Sequence, residues 1–202
     1  FDQLRRMIIS DLKGIPLVID NILSTSPMMR YTGVLPLSPH PLLMSGGAKA
    51  FAGEQISLLA SPISIVAVVE GGGKWPQKSE AILKVKLALL LRIGELLSKQ
   101  FKMKCVPHQD TLDIVFDGYI FRLSLRSSLE VERTVVDDNP FSKVPVSQEM
   151  IEDFEVKPLH HNLIRALHSQ HPSYGPSVRL FSSWLCGHSL SGLLSQELIE
   201  LL

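Results

Sequence analysis

The chain has 202 residues, and 45% of them are hydrophobic, so one full domain or slightly more can bury a sizeable core. Lys and Arg number 20 and Asp and Glu number 20, so the formal net charge is zero and no overall charge attracts the chain to nucleic acid or to a membrane surface. The two cysteines, Cys105 and Cys186, lie far apart in sequence. This spacing argues against a disulfide scaffold and favours a reducing compartment, the cytosol or the nucleus.

The first part of the chain predicts a helix followed by two strands with a long loop between them. Residues 1–12 repeat apolar side chains at helical spacing, and residues 17–23 are rich in β-branched side chains, which favours a strand. Residues 33–62 are crowded with Pro, Gly and Ser and predict a long loop. The continuous apolar run over residues 63–70, ISIVAVVE, is typical of a strand covered on both faces.

A long helix is predicted over residues 77–100. It is apolar around much of its circumference, so we expect it to pack tightly on a sheet. A membrane span needs about 20 largely uncharged residues, and this helix is interrupted by Lys84, Lys86, Arg92 and Glu95. We therefore expect no contact with a membrane.

The segment after this helix predicts three short strands, the last two joined by a hairpin. KCVPHQ and LDIVF have strand composition, and Asp117-Gly118 suits a type I′ turn, because both residue types tolerate positive φ. The returning strand, YIFRLSLR, alternates between two faces. One face is predicted to carry Tyr119, Phe121, Leu123 and Leu125, and the other Ile120, Arg122, Ser124 and Arg126.

The last part of the chain is predicted to be helical. Residues 127–158 have the composition of a linker, and from residue 159 onward the pattern is helical, with one helix ending before Pro172. The next helix is expected to point Val178, Phe181, Trp184 and Leu185 inward, and Ser195 is a plausible N-cap of the final one. The architecture is thus an α/β unit of order helix-β-β-helix-β-β-β at residues 1–126, joined to the beginning of an all-helical unit at residues 159–202.

The glycine-rich stretch EGGGKWPQKSE fails as a phosphate-binding loop. A Walker loop ends in Gly-Lys followed by Ser or Thr, whose hydroxyl binds magnesium. Trp75 stands at the hydroxyl position, and Val68 stands where the first Gly belongs. We interpret Gly71 to Pro76 as a structural turn that starts the long helix.

The order of elements is reminiscent of nucleotidyltransferases, whose chemistry needs carboxylates that hold two magnesium ions. Two acids at i and i+2 on one strand would serve, because their side chains share a face. The first strand offers Asp20 alone, Asp113 and Asp117 are four residues apart, and Glu130 and Glu132 directly follow two serines without room for a helical turn. Solvated surface acids are the more probable interpretation.

Histidines in the helical part suggest a zinc site, but the spacing is wrong. No C-x-x-C or H-E-x-x-H pattern is present, so partly exposed helix histidines are the simpler interpretation. The candidates were His160, His161, His168, His171 and His188, with Cys186 as a further ligand.

Basic residues on the long helix and on the last strand form a possible track for a phosphate backbone. Lys84 and Lys86 lie on the helix, and Arg122 and Arg126 share a strand face. For any one lysine, a solvated helix face is the more probable interpretation.

Four stretches together resemble the nucleolar RNA-associated protein (Nrap) family. They are MMRYTGVLPLSPHPL, VVEGGGKWPQKSEAILKVKLALLLRIGELLSKQ, DTLDIVFDGYIFRLSL and IRALHSQHPSYGPSVRLFSSWLCGHSLSG. The G-K-W-P turn and the H-P-S-Y-G-P-S-V-R-L run are the most specific parts. The segment from Val131 to Lys157 is short and matches poorly, which leaves open whether residues are missing there.

The resemblance implies a nucleotidyltransferase-like mixed sheet flanked by helices, followed by an incomplete poly(A) polymerase/oligoadenylate synthetase-like helical domain. It implies an internal fragment of a much longer protein, which agrees with the chain ending inside the apolar helical run QELIELL. It also implies a location in the nucleus and its nucleolus, and a scaffold role in the small-subunit processome on precursor ribosomal RNA.

The family carries no catalytic motif that can be transferred to this sequence, so no catalytic or metal-binding residue, cofactor or small-molecule substrate is expected. The partners expected are other processome proteins and precursor ribosomal RNA. Two alternatives stay open: an active RNA nucleotidyltransferase using two-metal chemistry, and a protein-interaction domain without RNA contact. The candidate RNA contacts are Lys74, Lys84, Lys86, Arg122 and Arg126.

Overall fold

The computed structural model describes residues 1–16, 18–34, 62–69, 79–127, 156–190 and 192–202. The order of elements is helix, two strands, helix, three strands and three helices, as predicted. The strands are β1 (Ile19–Ser24), β2 (Ile63–Val69), β3 (Lys104–Pro107), β4 (Thr111–Phe116) and β5 (Tyr119–Ser127). The helices are α1 (Asp2–Arg6), α2 (Ser79–Phe101), α3 (Lys157–Gln170), α4 (Tyr174–Gly187) and α5 (Gln196–Leu201), with a π-helical turn at Met7–Asp11 and a 3₁₀ turn at Pro27–Arg30.

The five strands form one mixed sheet with the spatial order β1-β2-β5-β4-β3. β2 pairs with β1 in antiparallel and with β5 in parallel orientation, so the apolar run that composes it has a neighbour on each side. The pair β4–β5 is antiparallel and is closed by the predicted hairpin, where Asp117 has φ 49° and Gly118 has φ 77°. These signs fit a type I′ turn, which matches the twist of the flanking strands.

One face of the sheet carries the main core. Alternate residues of β5, Phe121, Leu123 and Leu125, are buried there with α1 and α2, which confirms the predicted alternation. The glycine at position 94 lets α2 lie close to the sheet, because a Cβ there would sit 3.1 Å from Cδ1 of Leu112. Among the described residues, no helix is long and apolar enough to cross a membrane.

The helical part packs on the sheet unit through α3, which contacts β1 and the 3₁₀ turn. α3 ends at Gln170, ahead of Pro172, and Ser195 caps α5 by accepting a hydrogen bond from the Leu198 amide. α3 begins within the predicted linker, whose greater part lies outside the described residues. The division into domains at residues 127–158 therefore stays a prediction.

The prediction that α4 points Phe181 and Trp184 inward is wrong. Val178 and Leu185 are buried with Ile199 of α5, whereas Phe181 is 38% and Trp184 51% exposed. At about 100° per residue, Phe181 and Trp184 lie roughly 60° and 120° around the helix from Val178. This places both rings beside the α4–α5 contact, where they stack on each other.

Candidate functional site

The face of the sheet opposite the main core carries the polar side chains that the sequence singles out. β5 places Arg122, Ser124 and Arg126 on it, alternating with the core residues. Strand pairing sets Asp113 of β4 directly opposite Arg122. We call this surface the polar face.

Asp113 is held in a buried ion pair at the centre of β4. Its side chain is 1% exposed, and the Arg122 guanidinium donates from Nε to Oδ1 and from Nη2 to Oδ2, both at 2.8 Å. His108 adds Nε2 at 3.0 Å from Oδ2. Burial by itself would raise the pKa of the Asp113 carboxyl, but the hydrogen bonds and charges of Arg122 and then His108 outweigh it and hold that pKa below its ordinary value.

The acids considered as magnesium ligands do not come together among the described residues. Asp20 is exposed on β1, and β2 and β5 separate it from Asp113 on β4. Three strand spacings amount to roughly 14 Å, far more than the ~4 Å between the ions of a two-metal site. Asp117 is exposed in the hairpin turn, and Glu130 and Glu132 lie outside the described residues.

The donor set on the polar face therefore does not fit the two magnesium ions of nucleotidyltransferase chemistry. The oxygens of Asp113 already accept hydrogen bonds from Arg122, a geometry that a metal ion would have to displace. In the described ranges, no three His, Cys, Asp or Glu side chains are grouped as metal ligands would be.

The predicted basic residues occupy two different surfaces. Arg122 and Arg126 lie on the polar face, with 38% of the Arg122 side chain exposed despite its ion pair. Lys84 is exposed on α2, on the other side of the sheet, and Lys86 of the same helix is only 8% exposed. Lys74 and the turn from Gly71 to Pro76 lie outside the described residues.

A cleft of about 250 Å³ opens where α3 crosses the polar face. Leu23 of β1 and Arg126 of β5 form its floor, and α3 forms its wall with Pro158, Leu159 and Asn162. The cleft is lined by apolar side chains together with one cation and one amide.

A second polar cluster, which sequence reasoning missed, surrounds the carboxylate of Glu200 in α5. Both Glu200 and Arg30 are at most 2% exposed, and Arg30 Nε donates to Oε2 at 2.8 Å. Thr32 Oγ1 donates to Oε1 at 2.5 Å, and His160 Nε2 lies 2.6 Å from Oε2. We call Arg30, Thr32, His160 and Glu200 the Glu200 cluster.

The pKa of the Glu200 carboxyl is lowered by this environment. Burial acts to raise it, but the hydrogen bonds from Thr32, Arg30 and His160 outweigh burial. The neighbouring His161, 3% exposed, is affected in the opposite sense: burial and the positive charges of Arg30 and Arg165 lower its pKa to about 4. His161 is thus neutral at physiological pH.

The histidines considered for zinc have separate neighbours. His160 contacts Glu200, His168 stacks on Tyr31 with ring centroids 4.5 Å apart, and the His188 ring lies tilted against Trp184 with centroids 4.4 Å apart. Cys186, the further candidate, is an exposed free thiol.

The signal for the Glu200 cluster in the sequence is weak. Arg30 and Thr32 lie in the stretch MMRYTG, and Glu200 lies in an ordinary helical pattern. Charged residues are exposed by default, and nothing local indicates that two of them, 170 positions apart, form a buried pair.

Comparison with known proteins shows which family this chain is similar to. A sequence model of the family described as Nrap protein nucleotidyltransferase domain 4 matches residues 1–169. Nucleolar protein 6 of Xenopus laevis is 30% identical over 217 residues, and Nucleolar protein 6 of Homo sapiens is 27% identical over 216 residues. Both matches cover 100% of this chain but 19% of the relative, so the chain spans about a fifth of the length of these curated relatives.

A solved structure confirms the fold class. The complex of CdnC with HORMA-deltaN from E. coli MS115-1 contains a chain that superposes with a TM-score of 0.51, at 14% identity, over 99% of this chain and 55% of that one. At this identity the likeness concerns the fold alone.

The names of the relatives confirm the predicted location in the nucleus and its nucleolus. The match over residues 1–169, most of the chain, settles the predicted family resemblance. The chain belongs to the Nrap family, in which it corresponds to nucleotidyltransferase domain 4.

Proposed function

We propose that this chain is a non-catalytic scaffold module of a nucleolar ribosome-biogenesis factor, acting in small-subunit precursor rRNA processing and assembly. The observation that carries the proposal is the state of Asp113, whose two oxygens accept hydrogen bonds from Arg122 while His108 contacts one of them. A catalytic carboxylate would instead direct its lone pairs at magnesium. In this chain Asp113 instead joins β4 to β5 through Arg122.

Membership of the Nrap family and relatives named as nucleolar proteins support a place in nucleolar assembly. The partners proposed are other proteins of the small-subunit processome and precursor ribosomal RNA. No cofactor or small-molecule substrate enters this function.

The polar face is the surface proposed to contact RNA. The Arg122 side chain is 38% exposed, and Arg126 lies in the cleft beneath α3. Lys84 lies across the sheet from them, so it would belong to a separate contact. With a net charge of zero, binding depends on where the cations lie and not on overall attraction.

The test for catalysis is incorporation of each NTP into an RNA primer with magnesium or manganese, with an active poly(A) polymerase as positive control. We expect no product from the wild-type chain. Product that disappears in Asp113→Asn would contradict the proposal and establish the active-transferase alternative.

The test for RNA contact is binding of a structured RNA across a series of salt concentrations. We expect a negative slope of log K against log salt, and Arg126→Gln should weaken binding and reduce the slope by about one. Lys84→Gln is the matched control for a cation outside the polar face. A slope near zero in the wild type would contradict the proposed RNA contact and favour the alternative of a protein-interaction domain without RNA contact.

A further inference from the structure

The carboxylate of Glu200 links segments that are remote in sequence. It accepts from Arg30 and Thr32, which follow β1, and lies beside His160 of α3. Gln196 of its own helix donates to Oε1 at 3.1 Å, and the Tyr174 hydroxyl of α4 donates to the Glu200 backbone carbonyl. One residue of α5 thus contacts both other helices of the helical part and the segment that follows β1.

The Glu200 cluster adjoins the cleft that contains Arg126. His160 points to Glu200, while its neighbours Leu159 and Asn162 form the cleft wall. Arg30 is anchored in turn to the sheet side, because its Nη1 donates to the Thr25 carbonyl at 2.8 Å, directly after β1. Besides the direct contacts of α3 with β1 and the 3₁₀ turn, one chain of contacts from β1 to α3 therefore passes through Glu200.

We propose that Glu200 is a positioning residue that fixes α3 over the polar face and so sets the width of the cleft at Arg126. The predicted effect of Glu200 on RNA affinity rests on the proposed function. Its predicted effect on the position of α3 does not.

Glu200 can position α3 because the Glu200 cluster is either formed or broken. With the Glu200 charge in place, Arg30 and His160 have a shared buried partner. Without that charge, Arg30 is a buried cation lacking its counter-ion, and hydration of the guanidinium favours movement of the helices away from the sheet. α3 then carries Leu159 and Asn162 away from Arg126.

The geometric test measures the distance between α3 and the sheet by pulsed electron paramagnetic resonance. Spin labels at Asp117→Cys and Ala166→Cys, both exposed positions, are placed in a Cys105→Ser/Cys186→Ser background. Glu200→Gln should lengthen and broaden the distance distribution, while Glu197→Gln, the matched change in the same helix, should leave it unchanged. An unchanged distribution in Glu200→Gln overturns the proposal.

A milder variant keeps the test decisive if Glu200→Gln disrupts the fold. Thr32→Val removes the hydroxyl donor to Oε1 and leaves the ion pair, so it should give the same change with smaller amplitude. Hydrogen exchange of the β2 and β5 amides reports whether the sheet is intact in each variant. A Thr32→Val distribution identical to wild type, with the sheet intact, counts against the proposal.

The affinity test uses the structured RNA of the salt series. If Glu200→Gln reduces the fraction with a narrow cleft to about one tenth, the apparent Kd rises about tenfold. An altered distance with unchanged RNA affinity overturns the functional half of the proposal. Absence of RNA binding in the wild type overturns the proposed RNA contact, and the distance measurement still decides the role of Glu200.

Discussion

Asp113 and Arg122 face each other across β4 and β5, and two parallel hydrogen bonds of 2.8 Å join them. The pair lies on the polar face of the sheet, and the Asp113 side chain is 1% exposed. A fork of this kind is strong and directional, because both guanidinium donors match both carboxylate acceptors. The pair converts a candidate catalytic position into a cross-strand contact.

Loss of Arg122 should raise the pKa of Asp113. Burial then acts on the carboxyl without its main counter-charge, so in Arg122→Gln we expect the pKa to move from below its ordinary value to above it. NMR titration of the Asp113 carboxyl measures this change. Arg122→Lys keeps the charge but not the fork and should give an intermediate value; equal pKa values in all three proteins would contradict the assignment.

The same pair makes stability depend on acid pH. The folded pKa of Asp113 lies below the ordinary value of 3.8, so its contribution to the free energy of unfolding is present above pH 3.8 and is lost as pH falls through the folded pKa. Urea unfolding between pH 5 and pH 3 should therefore show a steeper loss in wild type than in Asp113→Asn. Parallel curves would show that the pair does not contribute.

His161 should produce a separate loss of stability at milder acid pH. Its folded pKa of about 4 lies below the ordinary 6.5, so its contribution is complete above pH 6.5 and is lost as pH falls to about 4. A difference of 2.5 pKa units corresponds to about 3 kcal/mol. His161→Leu should flatten the pH dependence of the unfolding free energy over this range, and an unchanged pH dependence would mean that folding does not shift the pKa of His161.

Breaking the Arg30–Glu200 pair from one side should be costly. Arg30→Met or Glu200→Met each leaves a buried partner charge, with an expected loss of about 3–5 kcal/mol. The double variant should lose less than the sum, because no unpaired charge remains. Urea unfolding of the wild type, the two single variants and the double variant gives the coupling free energy between Arg30 and Glu200. Additive losses of unfolding free energy would contradict a direct interaction.

The exposed pair Arg92–Glu95 is the control for this cycle. Its side chains are 46% and 57% exposed, and the same double change there should cost less than about 1 kcal/mol.

The β4–β5 hairpin should depend on the glycine at position 118. Gly118→Ala places a Cβ at φ 77°, which costs about 1–2 kcal/mol, whereas Asp117→Gly fits the same turn without strain. Thermal unfolding should show a lower Tm for the first variant and little change for the second. Equal losses would indicate that side-chain contacts of the turn and not its backbone conformation determine stability.

The sequence was sufficient for the elements whose signal is local. The apolar run of β2, the alternation of β5 and the Asp-Gly turn each predicted the observed structure, because period and turn chemistry depend on neighbouring residues. The wrong prediction for Phe181 and Trp184 concerns a feature that neighbouring residues in the sequence do not determine. Which side of a helix is buried depends on the elements packed against it, and α4 contacts α5 along only one side.

The contacts of the polar residues also depend on tertiary packing, which local sequence patterns do not specify. Arg122 was recognised as a cation on a strand face, but its partner Asp113 was recognised only as a candidate magnesium ligand, because strand register decides which residues face each other. Lys86 was expected among surface lysines and is 8% exposed. Its burial follows from how α2 lies on the sheet, which helical periodicity alone does not specify.

The separation of 170 positions between Arg30 and Glu200 also implies a delay during synthesis. At a synthesis rate of about 5–20 residues per second, roughly 10 to 30 seconds pass between translation of the arginine codon and translation of the glutamate codon. During that interval the Arg30 guanidinium lacks the Glu200 carboxylate as its counter-charge. Because burial of an unpaired charge is costly, we expect the nascent segment after β1 to stay hydrated. The segment after β1 can therefore bury Arg30 with its counter-charge only once α5 has been synthesised.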